Sequence, residues 1–231
     1  TLCGRCTYAG IVDFSSADAG KRNVIELIVF DWDGTLMDSE ARIVQSMTEA
    51  FLDQAIEVPP PSAIREVIGL DLHHAVGRLN PDLDARAIDR IAAGYRRLYP
   101  ASLGIPSPLF EGARDTLDEL SRHGIQLAVA TGKSRLGLDR AMNETGVAHY
   151  FTATRCGDET RPKPHPAMLL EILNETGVIP SRAIMVGDTE FDLETAAAAS
   201  ILGAAVTYGA HPKSRLLGLN PVFVLGTLRE L

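Results

Sequence analysis

Cysteine is scarce in this chain. Cys3, Cys6 and Cys156 are the whole complement, too few for a disulfide-stapled scaffold. Positive charge is also in deficit, with 22 Lys and Arg against 30 Asp and Glu. The net charge of −8 and a pI near 5.2 argue against non-specific binding to nucleic acid or an anionic membrane. An anionic ligand would therefore need locally placed Lys, Arg, metal or backbone N–H groups. No apolar run reaches the length of a membrane span, no signal-like segment opens the sequence, and no internal repeat is visible. These absences predict a cytoplasmic protein with neither nucleic-acid nor membrane partners. What remains is an ordinary globular composition, 45% hydrophobic over 231 residues, enough for one large domain or two small ones.

Residues 1–22 differ from the rest. They hold the small-polar run Phe14-Ser15-Ser16-Ala17-Asp18-Ala19-Gly20 and the pair Cys3-Gly4-Arg5-Cys6. The pair has zinc-ligand or redox spacing, but no second pair or Cys/His partner follows within the segment. A loose N-terminal extension is the expectation.

Beyond it, short apolar runs recur at Val24–Phe30, Ile125–Ala130, Ala183–Val186, Gly203–Thr207 and Val222–Leu225, with a weaker one at Tyr150–Thr154. They alternate with helical patterns at Ala113–Arg122, Arg135–Glu144, Pro166–Thr176 and Asp192–Ser200. Such alternation predicts an α/β fold, a Rossmann-like parallel sheet with helices on both faces. One connection is far too long for a simple βα turn. From Ser39 to Ser107 the apolar positions, among them Ile43, Met47, Phe51, Ile88, Ile91 and Tyr95, follow helical spacing. About four helices fit, with Asp84 placed to cap one. The expected organisation is a core from 23–38 and 108–231 interrupted by an all-α insertion at 39–107. Pro59-Pro60-Pro61 marks a turn within the insertion, and Pro100 to Pro108 reads as its return hinge.

Four places carry candidate chemistry. Leu27-Ile28-Val29-Phe30 ends in Asp31-Trp32-Asp33-Gly34-Thr35. In extended chain, side chains two apart face the same way, so Asp31 and Asp33 can share a pocket at the carboxyl edge of the sheet, where open α/β sheets bind ligands. Two carboxylates that close repel unless a cation or shared proton relieves them, and Mg²⁺ suits an all-oxygen site. Thr35 and Ser39 are candidate helix starts. A second strand runs into Thr131-Gly132-Lys133-Ser134, whose hydroxyl and N–H groups can hold phosphate. Lys163 sits in Arg161-Pro162-Lys163-Pro164-His165-Pro166, where alternating prolines stiffen the chain and aim the ammonium. Another strand opens into Gly187-Asp188-Thr189-Glu190-Phe191-Asp192. Asp188 would complete a hard-cation site with Asp31 and the Asp33 carbonyl, and Asp188 and Asp192, four apart, can share a helical face.

Read singly, each motif has an ordinary alternative: a solvated turn, a helix start, or a lysine in a Pro-rich loop. Read together, all four lie at or just after predicted strand ends, and in a parallel sheet those ends share one edge. They supply the carboxylates, hydroxyl, lysine and metal ligand that phosphoryl transfer requires. In this order the motifs resemble those of the haloacid dehalogenase (HAD) superfamily of hydrolases, in its phosphoglycolate phosphatase-like branch with a helical cap after the first strand. The resemblance runs from about Val24 to the C-terminus. It implies Asp31 as nucleophile, Asp33 as general acid and base, Thr131 with the Gly132 N–H and Lys163 on the phosphate, and Mg²⁺ on Asp31, Asp33 and Asp188. Asp192 would order metal waters or Lys163. Arg65, in a loop similar to one that faces substrate in relatives, would meet a substrate anion. The implied activity is hydrolysis of a small phosphomonoester, phosphoglycolate-like or a sugar phosphate, through an aspartyl-phosphate. Relatives that displace halide or cleave phosphonates lack the second aspartate, so Asp33 favours C–O–P chemistry. A sugar phosphomutase and a catalytically silent binding protein are the alternatives, and the molecule is expected to be a monomer or homodimer.

Overall fold

A computed structural model describes residues 25–102 and 104–231. The expectations about residues 1–22, including the Cys3/Cys6 pair, lie outside the described residues.

Six parallel strands form one sheet in the order β3-β2-β1-β4-β5-β6. They are β1 (Leu27–Phe30), β2 (Gln126–Thr131), β3 (Phe151–Cys156), β4 (Ala183–Gly187), β5 (Leu202–Val206) and β6 (Phe223–Leu225). The central strands alternate strictly between two apolar clusters. Ile28, Phe30, Leu127, Val129, Ile184 and Val186 face one cluster. Leu27, Val29, Ala128, Ala130, Ala183 and Met185 face the other. With both faces buried, continuous apolar runs rather than polar alternation are the sequence these strands require. Helices α5 (Ala113–Arg122) and α6 (Arg135–Thr145) cover the first face, and α7 (Ala167–Thr176) and α8 (Glu190–Ala198) the second. A short α9 (Lys213–Leu217) precedes β6. Val24 of the first expected strand is not among the described residues, and Pro166 sits just ahead of α7 rather than in it.

Four helices follow β1: α1 (Glu40–Leu52), α2 (Pro61–Arg65), α3 (Leu72–Leu79) and α4 (Ala85–Ala101). They enclose a third apolar cluster that includes Met47, Phe51, Ile64 and Ile91. Gly94 of α4 faces Ala50 of α1; a Cβ added there would sit 3.6 Å from the Ala50 Cβ, an ordinary contact. The return segment expected from Pro100 to Pro108 begins slightly later, after α4 ends at Ala101. Pro100 lies in the last turn of α4, where a missing N–H removes one hydrogen bond only. The exposed end carbonyls are met by Arg42, whose Nε donates to the Tyr99 carbonyl at 3.0 Å.

Asp84 caps α4 as expected, its Oδ1 accepting from the Ala87 N–H at 2.7 Å. Asp84→Ala is expected to cost about 1 kcal/mol of stability, visible in thermal unfolding as a drop of about 2–4 °C. Among the described residues no helix is long and apolar enough to cross a membrane.

Candidate active site

The sheet register sets the site. Phe30, the last residue of β1, pairs with Val129 on one side and Val186 on the other, so β2, ending at Thr131, and β4, ending at Gly187, finish within two residues of it. Asp31 follows β1, its N–H donating to the Val186 carbonyl at 2.9 Å. Thr131 ends β2, and Asp188 follows β4. The chain then turns sharply: the N–H groups of Leu36 and Met37 donate to the Trp32 carbonyl at 3.0 and 2.9 Å. Gly34 sits in this turn at φ +91°, and a Cβ there would come within 2.3 Å of Asp188 Oδ2. Only glycine allows both the left-handed backbone and that approach. Trp32 points the other way, fully buried in the core against Phe151.

Lys163 is the hub. Its Nζ is buried and donates to Asp31 Oδ1 at 2.8 Å and Asp192 Oδ1 at 2.5 Å. The other Asp192 oxygen accepts from the Thr189 N–H at 3.0 Å and hydroxyl at 2.7 Å. Asp188, also buried, accepts from the Thr35 hydroxyl at 2.8 Å and the Ala210 N–H at 2.7 Å. Thr35 itself is steadied by Tyr208, whose hydroxyl donates to the Thr35 carbonyl at 2.9 Å.

Three buried carboxylates, Asp31, Asp188 and Asp192, offer oxygens within 4.8 Å of one another, and the Lys163 ammonium is bonded to two of them, Asp31 and Asp192. Burial pushes the Asp31 carboxyl up to about 7 even though Lys163 pulls it down. Burial likewise raises Asp188, reinforced by the charges of Asp31 and Asp192. The opposing charges of Asp192 and Asp31 outweigh burial at Lys163 and hold it firmly protonated. Asp31 Oδ2 is buried and has no hydrogen-bond partner. A buried, unpartnered carboxylate oxygen is costly, and an excess of carboxylates around it fits a hard divalent cation.

Asp33 belongs to a neighbouring cluster. Both its oxygens accept from Lys133 Nζ at 2.9 Å, and Oδ1 also accepts from the Ser39 hydroxyl at 2.7 Å. Lys133 Nζ lies 4.6 Å from the centre of the Tyr99 ring of α4. At Lys133, burial disfavours the charge, but Asp33 outweighs it and the net shift is upward. Asp31, Asp33, Thr131, Gly132 and Lys133 line one cavity of about 560 Å³ between the sheet edge and helices α1 to α4. The helices come very close here. A Cβ on Gly132 would meet the Leu70 carbonyl oxygen at 2.4 Å, so that position must be glycine for the two parts to approach as they do. Arg215 fastens the same junction, donating to Glu66 on one side and Glu190 on the other.

The structure thus brings together Asp31, Asp33, Thr131, Gly132, Lys163, Asp188 and Asp192. Asp188 and Asp192 meet differently from the expectation: Asp188 precedes α8, so the pair does not share a helical face. Ser39 stands at the N-cap of α1 as expected and Thr35 does not start a helix; both spend their hydroxyls on carboxylates, Asp33 and Asp188 respectively. Arg65 is not among the cavity-lining residues; it is half-exposed and paired with Glu40. The sequence reading missed Lys133. The signal was available, because Lys133 stands two residues after Thr131, as Asp33 does after Asp31.

Residues 28–206 match the profile of the haloacid dehalogenase-like hydrolases. The chain is 32% identical over 212 residues to "Probable phosphatase IndB" of Dickeya dadantii, covering 89% of this chain and 91% of that protein. It is 31% identical over 219 residues to a phosphoglycolate phosphatase of Vibrio parahaemolyticus, covering 90% and 94% respectively. Among solved structures it resembles a haloacid dehalogenase-like family hydrolase from Streptococcus pneumoniae with a TM-score of 0.78 and 27% identity, covering 89% of this chain and 96% of that one.

Proposed function

The chain belongs to the haloacid dehalogenase-like hydrolase family, and from that membership we propose a Mg²⁺-dependent phosphatase that cleaves small phosphomonoesters through an aspartyl-phosphate. The observation that carries the proposal is Asp31: buried, tethered on one oxygen by Lys163, with its second oxygen unpartnered. A nucleophile needs a positioned, available lone pair, and Oδ2 is the atom so placed. The relatives named as phosphatases support the phosphate-ester class.

In the first step Asp31 Oδ2 attacks phosphorus, the bond from phosphorus to the ester oxygen breaks, and that oxygen takes a proton from the Asp33 carboxyl. In the second, water gives a proton to Asp33 and attacks phosphorus; the acyl-phosphate P–O bond breaks, freeing inorganic phosphate and Asp31. The double displacement uses one pocket twice. Lys133 and Ser39 hold the Asp33 carboxylate at the cavity wall between these events. Thr131 and the Gly132 N–H would hold non-bridging phosphoryl oxygens, and Lys163 would balance charge on the transferring group. Asp31, the Asp33 carbonyl and Asp188 would hold Mg²⁺, which supplies charge neutralisation at the phosphoryl group. Asp192 fixes Lys163. The insertion 39–107 would serve as a cap that excludes water and selects the alcohol.

Purified protein is expected to release phosphate from p-nitrophenyl phosphate with Mg²⁺ and to lose at least about 100-fold of that rate in EDTA, with recovery on adding Mg²⁺ back. Undiminished turnover in EDTA would remove the metal from the proposal. Isomerisation of a sugar phosphate without phosphate release would replace hydrolysis with a mutase reaction.

A further inference from the structure

His211 is a buried imidazole to which the mechanism gives no part. It is 1% exposed and lies in the loop between β5 and α9. The N–H of Glu190, the first residue of α8, donates to its Nδ1 at 3.1 Å. A neutral ring that accepts at Nδ1 carries its proton on Nε2, and Nε2 meets the Glu66 carbonyl at 3.4 Å. Glu66 follows α2 in the helical insertion. Arg215, in α9, reaches the same residue. It donates to the Glu66 carboxylate and, through Nε at 2.5 Å, to Glu190. Glu66 is therefore held at both its backbone and its side chain.

The same loop also holds Asp188. The Ala210 N–H donates to Asp188 Oδ2 at 2.7 Å, and the His211 N–H to the Asp188 carbonyl at 3.4 Å. A Cβ on Gly209 would stand 2.3 Å from the Asp188 Cβ, so the loop backbone runs flush against this aspartate. The Ala210 side chain meanwhile packs against the apolar cluster of the insertion. One residue thus touches the insertion with its methyl group and Asp188 with its amide. A short loop fixed at both ends inside close-packed surroundings passes a displacement at one end to the other.

Resting on the phosphatase reading above, we propose that His211 and Arg215 are positioning residues for Asp188. They hold loop 208–211 against Glu66, and the Asp188 carboxylate is aligned for its metal while the insertion is seated. By reciprocity, a metal on Asp188 steadies the seated insertion.

Two substitutions separate the two ends of the ring. His211→Asn puts an oxygen where Nδ1 stands, keeping the Glu190 bond and giving up Glu66. His211→Gln puts an amide N–H where Nε2 stands, keeping Glu66. On the full chain, NMR hydrogen exchange of the Ala210 amide is measured without metal, and thermal unfolding is then followed through a Mg²⁺ titration. In His211→Asn the Ala210 amide is expected to exchange at least about fivefold faster than in wild type, with half-saturating Mg²⁺ raised by a similar factor. His211→Gln should stay within about twofold of wild type on both measures. Glu66→Lys, at an exposed position, sets a cation against Arg215 and should reproduce the Asn result even where His211→Asn does not fold. The reverse order, with Gln impaired and Asn intact, would confine His211 to the start of α8. Equal impairment would make it a packing residue. Either result overturns the proposal, as does unchanged Ala210 exchange in Glu66→Lys. If Mg²⁺ shifts the melting of neither wild type nor variants, the metal part of the phosphatase reading fails, and Ala210 exchange alone decides the coupling.

Discussion

Asp31→Asn is expected to lower phosphate release by about 10⁴-fold or more, the scale of loss when a covalent nucleophile is removed. The substitution is nearly isosteric. The amide oxygen can keep the hydrogen bond from Lys163 that Oδ1 accepts at 2.8 Å, while the unpartnered Oδ2 position becomes an NH₂ with no lone pair to attack phosphorus. The fold should not suffer. Burial already pushes the Asp31 carboxyl up to about 7, so the wild-type protein carries the cost of a desolvated charge there, and a neutral amide removes it. The melting temperature is therefore expected to stay level or rise. A variant that melts like wild type yet retains activity within tenfold would eliminate Asp31 as the attacking group.

Lys163→Met carries the second large effect, and here stability and activity fall together. The lysine ties Asp31 to Asp192 with bonds of 2.8 and 2.5 Å, and all three side chains are buried. Removing one member of a buried ion pair leaves uncompensated charge and costs about 3–5 kcal/mol. For a chain of this size that is a drop of about 6–20 °C in melting temperature. Activity should fall about 10²–10³-fold, the scale seen when an electrostatic donor to a transition state is lost. Added Mg²⁺ should recover part of the stability, because a cation bound to the folded form relieves the same repulsion. A variant within about 2 °C and threefold of wild type would show that Lys163 is not the hub its contacts describe.

How much was legible beforehand depended on the kind of interaction. Strand ends were readable because apolar runs such as Leu27–Phe30 and Ala183–Val186 are long enough to mark a buried parallel strand, and a parallel sheet brings their carboxyl ends to one edge. The placement of Asp31, Thr131 and Asp188 at one edge follows from that; their selection as site residues rested on the motifs taken together. Lys163 is different: it follows no strand directly, and its place between Asp31 and Asp192 was suggested by its proline-stiffened loop and the motif order. The bond between Lys133 and Asp33 joins residues 100 apart in sequence; the shared two-residue spacing after Thr131 and Asp31 hints that both face the pocket, but not that they meet. The contact of Gly132 with Leu70 was equally hidden, since it arises from how helices after β1 settle on the sheet. Pro100 misled for a local reason. Proline usually ends a helix, yet in a final turn it forfeits little, and the end carbonyls that needed a partner found Arg42.

The short stretch between Asp31 and α1 has a mechanical consequence. Ser39 stands immediately before α1 (Glu40–Leu52), and its hydroxyl is bonded to Asp33 at 2.7 Å. The leash of the helical segment and a clasp on the Asp33 carboxylate are thus the same residue. Any swing of α1 away from the sheet pulls this clasp, and it also draws the Tyr99 ring from over Lys133. Among the described residues, the Ser39 hydroxyl on Asp33 and the Tyr99 ring over Lys133 are contacts that tie the helical segment to this carboxylate.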